Sequence, residues 1–224
     1  MKLLKLGCKG PATKELQEKL TPKYYRGKLD GDFGPMTQAA VRVFQTDFFV
    51  NGEVDEGTAK ALDSVEKELK SELSVVPIPS DREQLVRVFG KIDFVNLDGG
   101  RIRITNNWAK RNVVKAHLPI VGYRWVHKKL VEHFAAALRY IEAEGFAGEI
   151  TQFGTWAPRH ILHNSKKPLS LHSWGIACDI NWHENHYGDE SNLHPVIIEG
   201  FKKFGFTWGG DWRKKDPMHF QYYK

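Results

Sequence analysis

Two turn-and-helix segments of one design constrain this chain more than any other feature. Asp30-Gly31-Asp32-Phe33-Gly34-Pro35-Met36-Thr37 leads into Ala40-Val41, and at an offset of 21 residues Asn51-Gly52-Glu53-Val54-Asp55-Glu56-Gly57-Thr58 leads into Ala61-Leu62. Gly10-Pro11-Ala12-Thr13 before Leu16 is a looser echo. Each copy reads as a tight turn feeding a helix. Gly31 and Gly52 suit the left-handed angles of such turns. Pro11 and Pro35 suit a first helical position, where a missing N–H costs nothing. Leu16 with Leu20, and Val41 with Phe44 and Phe48, fall on single helix faces. The expectation is a three-helix unit of about 60 residues, close to the smallest chain that buries its own core.

This segment resembles the type 1 peptidoglycan-binding domain. The resemblance rests on Leu4 with Gly7 and Gly10, Leu16-Gln17, the whole Asp30-to-Thr37 string, and Ala40-Val41 with Phe44-Gln45. It spans residues 3–62 and implies bacterial peptidoglycan as the partner.

The rest of the 224-residue chain is long enough for a second, medium-sized domain. Val65-Glu66-Lys67-Glu68-Leu69-Lys70 reads as a charged helical tail, and Pro77-Ile78-Pro79-Ser80 as an extended connector. The expected division is a binding domain at 1–65, a linker at 66–80 and a second domain at 81–224. A net charge of +6 favours an anionic partner, but the basic residues are dispersed, so nucleic acid is not expected. No stretch approaches the roughly 20 apolar residues of a membrane span, and membrane insertion is not expected. Two cysteines, Cys8 and Cys178, make no disulfide scaffold. The first residues lack the apolar run of a secretory signal, so synthesis in a cytoplasm is expected.

In the second domain, residues 127–143 carry Leu130, Phe134, Leu138 and Ile141 on one face and Gly145 as a stop, which predicts a helix. A second helix is expected from Pro195 to about Gly205. Short apolar segments at 102–104, 149–153, 175–180 and 218–222 read as strands. Without regular βαβ alternation, the class is α+β.

Chemistry concentrates in two segments. In Ser170-Leu171-His172-Ser173-Trp174-Gly175-Ile176-Ala177-Cys178-Asp179-Ile180, a turn at Gly175 can bring His172 and Asp179 to one metal. Asp179 sits in an apolar run, where an unpaired carboxylate is costly to bury. Strand alternation turns Cys178 to the opposite face, as a small core residue. In Asp216-Pro217-Met218-His219-Phe220, a carboxylate precedes a histidine by three residues. Two His and one Asp would leave an open fourth position, as catalytic zinc requires. On spacing alone, a packed or surface histidine remains the alternative. His160, His163, His183, His186 and His194 are expected at the surface or in loops.

These segments resemble the M15 zinc peptidases, a group that includes D-alanyl-D-alanine carboxypeptidases and L-alanyl-D-glutamate endopeptidases. Ser170, His172, Gly175, Ala177, Asp179 and Ile180 match one motif, and Asp216, His219 and Phe220 the other. The resemblance implies a hedgehog-like α+β peptidase domain, with Zn2+ held by His172, Asp179 and His219. It also implies Asp216 as general base and Arg159 as a carbonyl-stabilising group, although the usual Ser-Gly-Tyr-Arg form gives way here to Thr155-Trp156-Ala157-Pro158-Arg159. Thr155, Ser170 and Trp174 are the expected substrate contacts. The expected activity is cleavage of the peptidoglycan stem peptide by a monomeric, endolysin-like enzyme, of the kind a phage releases to the wall through a holin pore. The preferred bond is L-alanyl-D-glutamate. D-alanyl-D-alanine carboxypeptidase and a non-catalytic wall-binding zinc protein are the alternatives.

Overall fold

A computed structural model describes residues 3–21, 24–25, 27–45, 51–64 and 76–224. The chain divides into two compact units, Met1–Val75 with Arg139–Phe146, and Val76–Leu138 with Ala147–Lys224. Phe48 and the charged tail at 65–70 lie outside the described residues.

The first unit is built on α1 (Pro11–Leu20), α2 (Pro35–Phe44) and a helix at residues 56–64, here α3. Pro11 and Pro35 open their helices, and Leu16, Leu20, Val41 and Phe44 are buried. Gly31 and Gly52 take φ of 71° and 74°, as the tight turns require. Each turn is clamped by a buried glutamine from the preceding helix or its end. Gln17 Oε1 accepts the Gly31 N–H at 2.8 Å, while its amide nitrogen faces Asp30 Oδ1 (2.9 Å), Asp32 O (3.0 Å) and Thr37 Oγ1 (3.1 Å). Gln45 repeats the arrangement: Oε1 accepts from Gly52 N at 2.9 Å, and the amide nitrogen faces Asn51 Oδ1 (3.2 Å), Glu53 O (2.9 Å) and Thr58 Oγ1 (2.9 Å). The sequence repeat is thus a repeated polar clamp, with every buried amide atom paired.

The second unit is α+β. Its elements are α4 (Arg82–Phe89), the β1 (Phe94–Asn96)–β2 (Ile102–Ile104) pair, α5 (Trp108–Asn112), the β3 (Val113–Leu118)–β4 (Gly122–His127) hairpin, the part of α6 (Val131–Ala143) up to Leu138, β5 (Phe153–Gly154), β6 (Ala177–Ile180), α7 (Pro195–Lys203), β7 (Thr207–Trp208) and β8 (His219–Gln221). The last four strands form one antiparallel sheet in the order β5-β6-β8-β7. Phe201 from α7 packs on Phe220 with ring centroids 4.8 Å apart, and Phe206 meets Phe134 of α6 at the same distance. Burial of each such ring contributes about 2–3 kcal/mol, and together these rings fix the sheet's inner face. Val76 and Pro79 are tied to the chain end: Val76 O accepts from the Tyr222 hydroxyl at 2.8 Å, and Pro79 O from Lys224 N at 2.8 Å.

Three expectations need correction. The helix expected from His127 begins at Val131, because His127 ends β4 and residues Lys128–Leu130 form a 3-10 turn, with the His127 ring accepting from Lys129 N. The strand expected at 149–153 is confined to Phe153–Gly154; Ala147–Glu149 is a 3-10 turn. His160 is buried, with its ring nitrogens 2.6 Å from Lys167 O and 2.8 Å from Asn96 Oδ1, so it is a structural bridge to β1. Among the described residues no helix is long and apolar enough to cross a membrane.

Candidate active site

The site is assembled by one turn and one strand pairing. A short 3-10 helix, Leu171–Trp174, is capped by Ser170 and ends at Gly175, whose φ of 67° reverses the chain into β6. A side chain at Gly175 would meet the backbone of His127 at 2.9 Å and Val126 at 3.2 Å, so only glycine fits both the angle and the space. This turn sets His172 beside Asp179. His219 arrives by register: on the antiparallel β6–β8 pair, Asp179 lies opposite His219 and Cys178 opposite Phe220. Alternation sends Cys178 and Phe220 into the core and the other two toward the cleft.

His172, Asp179 and His219 each offer a ligand atom, and these atoms lie within 4.8 Å of one another. His172 Nε2 is 3.1 Å from Asp179 Oδ2, and His219 Nδ1 is 2.9 Å from Asp179 Oδ1. The far ring nitrogens are occupied. His172 Nδ1 donates to Thr155 O at 2.5 Å, and His219 Nε2 donates to Gln221 Oε1 at 3.2 Å. These bonds leave His172 Nε2 and His219 Nδ1 as lone pairs aimed at a common point, the tautomers a cation needs. Burial works against the charged form of Asp179; when the two rings are protonated, their charge and their N–H bonds from His172 Nε2 and His219 Nδ1 outweigh it and hold the carboxyl far below its ordinary range, and a cation at the same point would act in the same sense.

Asp216 sits beside the trio. Its N–H donates to Gly209 O at 2.9 Å, and a side chain on Gly209 would strike Asp216 O at 2.4 Å, so the bare glycine lets the loop close. Asp216 Oδ1 is buried and has no hydrogen-bond partner among the described residues. Burial, reinforced by the charge on Asp179, pushes the Asp216 carboxyl above its ordinary value, against the pull of His219, His172 and Arg159. A buried carboxylate oxygen without a partner, next to an N,O,N donor set, fits a bound cation and its water. Arg159 Nη2 is 3.8 Å from Asp179 Oδ2, and its backbone is pinned by Ser173, whose hydroxyl accepts from Arg159 N and donates to Arg159 O, both at 3.0 Å.

A cleft of about 380 Å³ opens over these groups, lined among others by Arg159, Ser170, Asp179, Asp216, His219 and Gln221. Thr155 and Trp174 face elsewhere. The Thr155 hydroxyl donates to Trp125 O at 2.8 Å, and Trp174 is 5% exposed, with its indole N–H on Gly90 O at 2.9 Å. Tyr187, Trp212 and Tyr223 also line the cleft, and the Trp212 ring lies 5.6 Å from that of His219. The outer partners of the two histidines are thus a backbone carbonyl and a side-chain amide, whereas the nearby Asp211 pairs with Lys202 at 2.6 Å. Gln221 went unnoticed although strand alternation puts it, two residues on, on the same face as His219.

Two segments of the chain match models of known protein families. Residues 9–62 match the family model of the peptidoglycan binding domain. Residues 163–222 match an M15 peptidase family model described as D-alanyl-D-alanine carboxypeptidase. The solved structure of the SleB N-terminal domain is 33% identical over 29% of this chain and 92% of its own, with a TM-score of 0.28. A fused Zn-dependent amidase/peptidase/peptidoglycan-binding domain-containing protein from Clostridium acetobutylicum is 39% identical over 28% of this chain, with a TM-score of 0.27; this chain covers 29% of its length. The chain thus joins an N-terminal helical domain of the peptidoglycan-binding family to a peptidase domain of the M15 family.

Proposed function

We propose that this protein is a zinc-dependent, wall-lytic peptidase of the endolysin kind, which cuts the stem peptide of peptidoglycan at the L-alanyl-D-glutamate bond. One observation carries the reading: His172, Asp179 and His219 converge within 4.8 Å, beside a buried carboxylate oxygen of Asp216 that has no partner among the described residues. The two imidazoles and the carboxylate would hold zinc. Zinc, when bound, supplies Lewis-acid polarisation of a carbonyl and acidifies water.

The chain's own groups do the rest. Asp216 accepts a proton from the attacking water at Oδ1 and returns it to the leaving amine; its raised pKa brings it closer to the working range of a base that must also act as an acid. Arg159, fixed through Ser173, offers its guanidinium to the carbonyl oxygen as negative charge develops there. Thr155 O and Gln221 orient the imidazoles. The N-terminal domain holds the enzyme on its insoluble polymer and raises the local substrate concentration.

An endopeptidase cut detaches cross-linked peptides from the glycan, a task that profits from a wall-binding domain. The description of the matched peptidase family favours a second reading, D-alanyl-D-alanine carboxypeptidase. Mass analysis of the products of purified peptidoglycan separates them. New N-terminal D-glutamyl peptides support the endopeptidase, and free D-alanine as the main product overturns it. No release of peptide or amino acid would refute the peptidase reading itself.

A further inference from the structure

Two arginines reach the cleft, and they differ in their engagements. Arg159 faces Asp179 and Asp216. Arg82, in the first turn of α4, lines the same cleft, yet among the described residues no Asp or Glu pairs with it. Its guanidinium lies over the Trp174 ring, 5.8 Å from the centroid. That platform is rigid: Trp174 is 5% exposed, its indole N–H is bonded to Gly90 O, and it shares the short Leu171–Trp174 helix with His172. Arg82 is therefore referenced, through the Trp174 ring, to the short helix that carries His172. Tyr223, also in the cleft wall, is its electrostatic neighbour, and burial holds its pKa below the ordinary arginine value.

A guanidinium stacked on an aromatic face keeps its edge free, and that edge presents N–H donors in a fork matching a carboxylate. Partly desolvated cations without a counter-ion are costly unless an anion arrives to complete them. We propose that Arg82 is a specificity-determining residue that binds a carboxylate of the substrate peptide beside the scissile bond. The inference rests on the proposed peptidase reading and refines it. In a γ-linked D-glutamyl residue the α-carboxylate is not consumed by either chain bond, so it is free to meet Arg82 while the alanyl carbonyl faces Arg159. The same contact would discriminate against peptides in which that carboxylate is amidated.

The test uses two synthetic stem peptides that differ only in whether the glutamyl α-carboxylate is free or amidated. Zinc-loaded full-length protein and its Arg82→Gln and Arg82→Lys variants are compared by kcat/KM on both. Dissociation constants for both peptides are measured in an Asp216→Asn background, where turnover is slow, with and without Arg82→Gln. The wild type should prefer the free carboxylate by about 10- to 100-fold, the worth of a hydrogen-bonded charge pair. Arg82→Gln should reduce that ratio to near one by losing only on the acidic peptide, and Arg82→Lys should keep part of it. An unchanged ratio in Arg82→Gln, or an equal fall on both peptides, overturns the proposal; the latter would assign Arg82 to packing on Trp174. If the wild type cuts neither peptide, the endopeptidase reading fails by itself. The binding data then decide for Arg82: an Arg82-dependent preference for the acid upholds it, and equal binding of acid and amide overturns it.

Discussion

Gln221 Oε1 lies 3.2 Å from His219 Nε2, and this contact decides which nitrogen of the ring faces Asp179. Both residues are on β8 and point to one side. Replacing Gln221 by Leu removes the acceptor without enlarging the strand. The ring then loses the bond that keeps Nδ1 deprotonated and aimed. Metal affinity should fall by about 10- to 100-fold, the usual effect of losing an outer partner of a metal-bound histidine. Competition with a chelating dye measures this, and Gln221→Glu, which retains an acceptor, should fall less.

Gln17 offers a test of the first unit. Gln17→Leu conserves volume but leaves the buried Gly31 N–H without its acceptor, while the Asp32 carbonyl keeps the Gly34 N–H and the Thr37 hydroxyl. An unpaired buried group of this kind costs roughly 1–3 kcal/mol. Denaturant unfolding should show that loss, with binding to insoluble peptidoglycan falling at temperatures where the unit melts. Gln45→Leu should behave alike, since Gln45 holds Gly52 and Glu53 in the same way.

His127 gives the second unit a pH-dependent stability. Burial, together with Lys129 and Lys128, lowers its pKa to about 4 from 6.5. Between these values the unfolded chain binds the proton and the folded chain does not. Stability therefore rises with pH through this window and is lost as pH falls from about 6.5 towards 4. The loss between pH 7 and pH 5 should be about 2 kcal/mol from this residue. Urea titrations at both pH values check it: His127→Asn, which cannot titrate there, should show a smaller pH difference than the wild type. An equal difference in both would remove His127 as the cause.

Much of this architecture is legible in the sequence where local rules and tertiary structure agree. The Gly31 and Gly52 turns and the Gly175 reversal each need an angle that one residue type supplies, so the letter betrays the geometry. The hairpin Val113–Leu118 with Gly122–His127 escaped because both strands leave side chains half-exposed on each face, which erases the alternation that marks a strand. His127 followed from that: its strand was absorbed into the apolar period of α6. Arg82 could not be found from spacing at all. It reaches the cleft from α4, some distance along the chain from Asp179, through packing on Trp174, and long-range packing leaves no local pattern.

In the proposed mechanism Asp216 is a base and not a ligand. Asp216→Asn preserves shape and the N–H bond to Gly209 but removes the proton acceptor. The decisive measurement is paired: zinc per chain and rate of peptidoglycan hydrolysis, for wild type and Asp216→Asn. Zinc content near one per chain in both, with hydrolysis reduced by roughly 10²–10⁴-fold in the variant, is the predicted result. Loss of zinc from the variant, or retention of zinc with a near-normal rate, would contradict it.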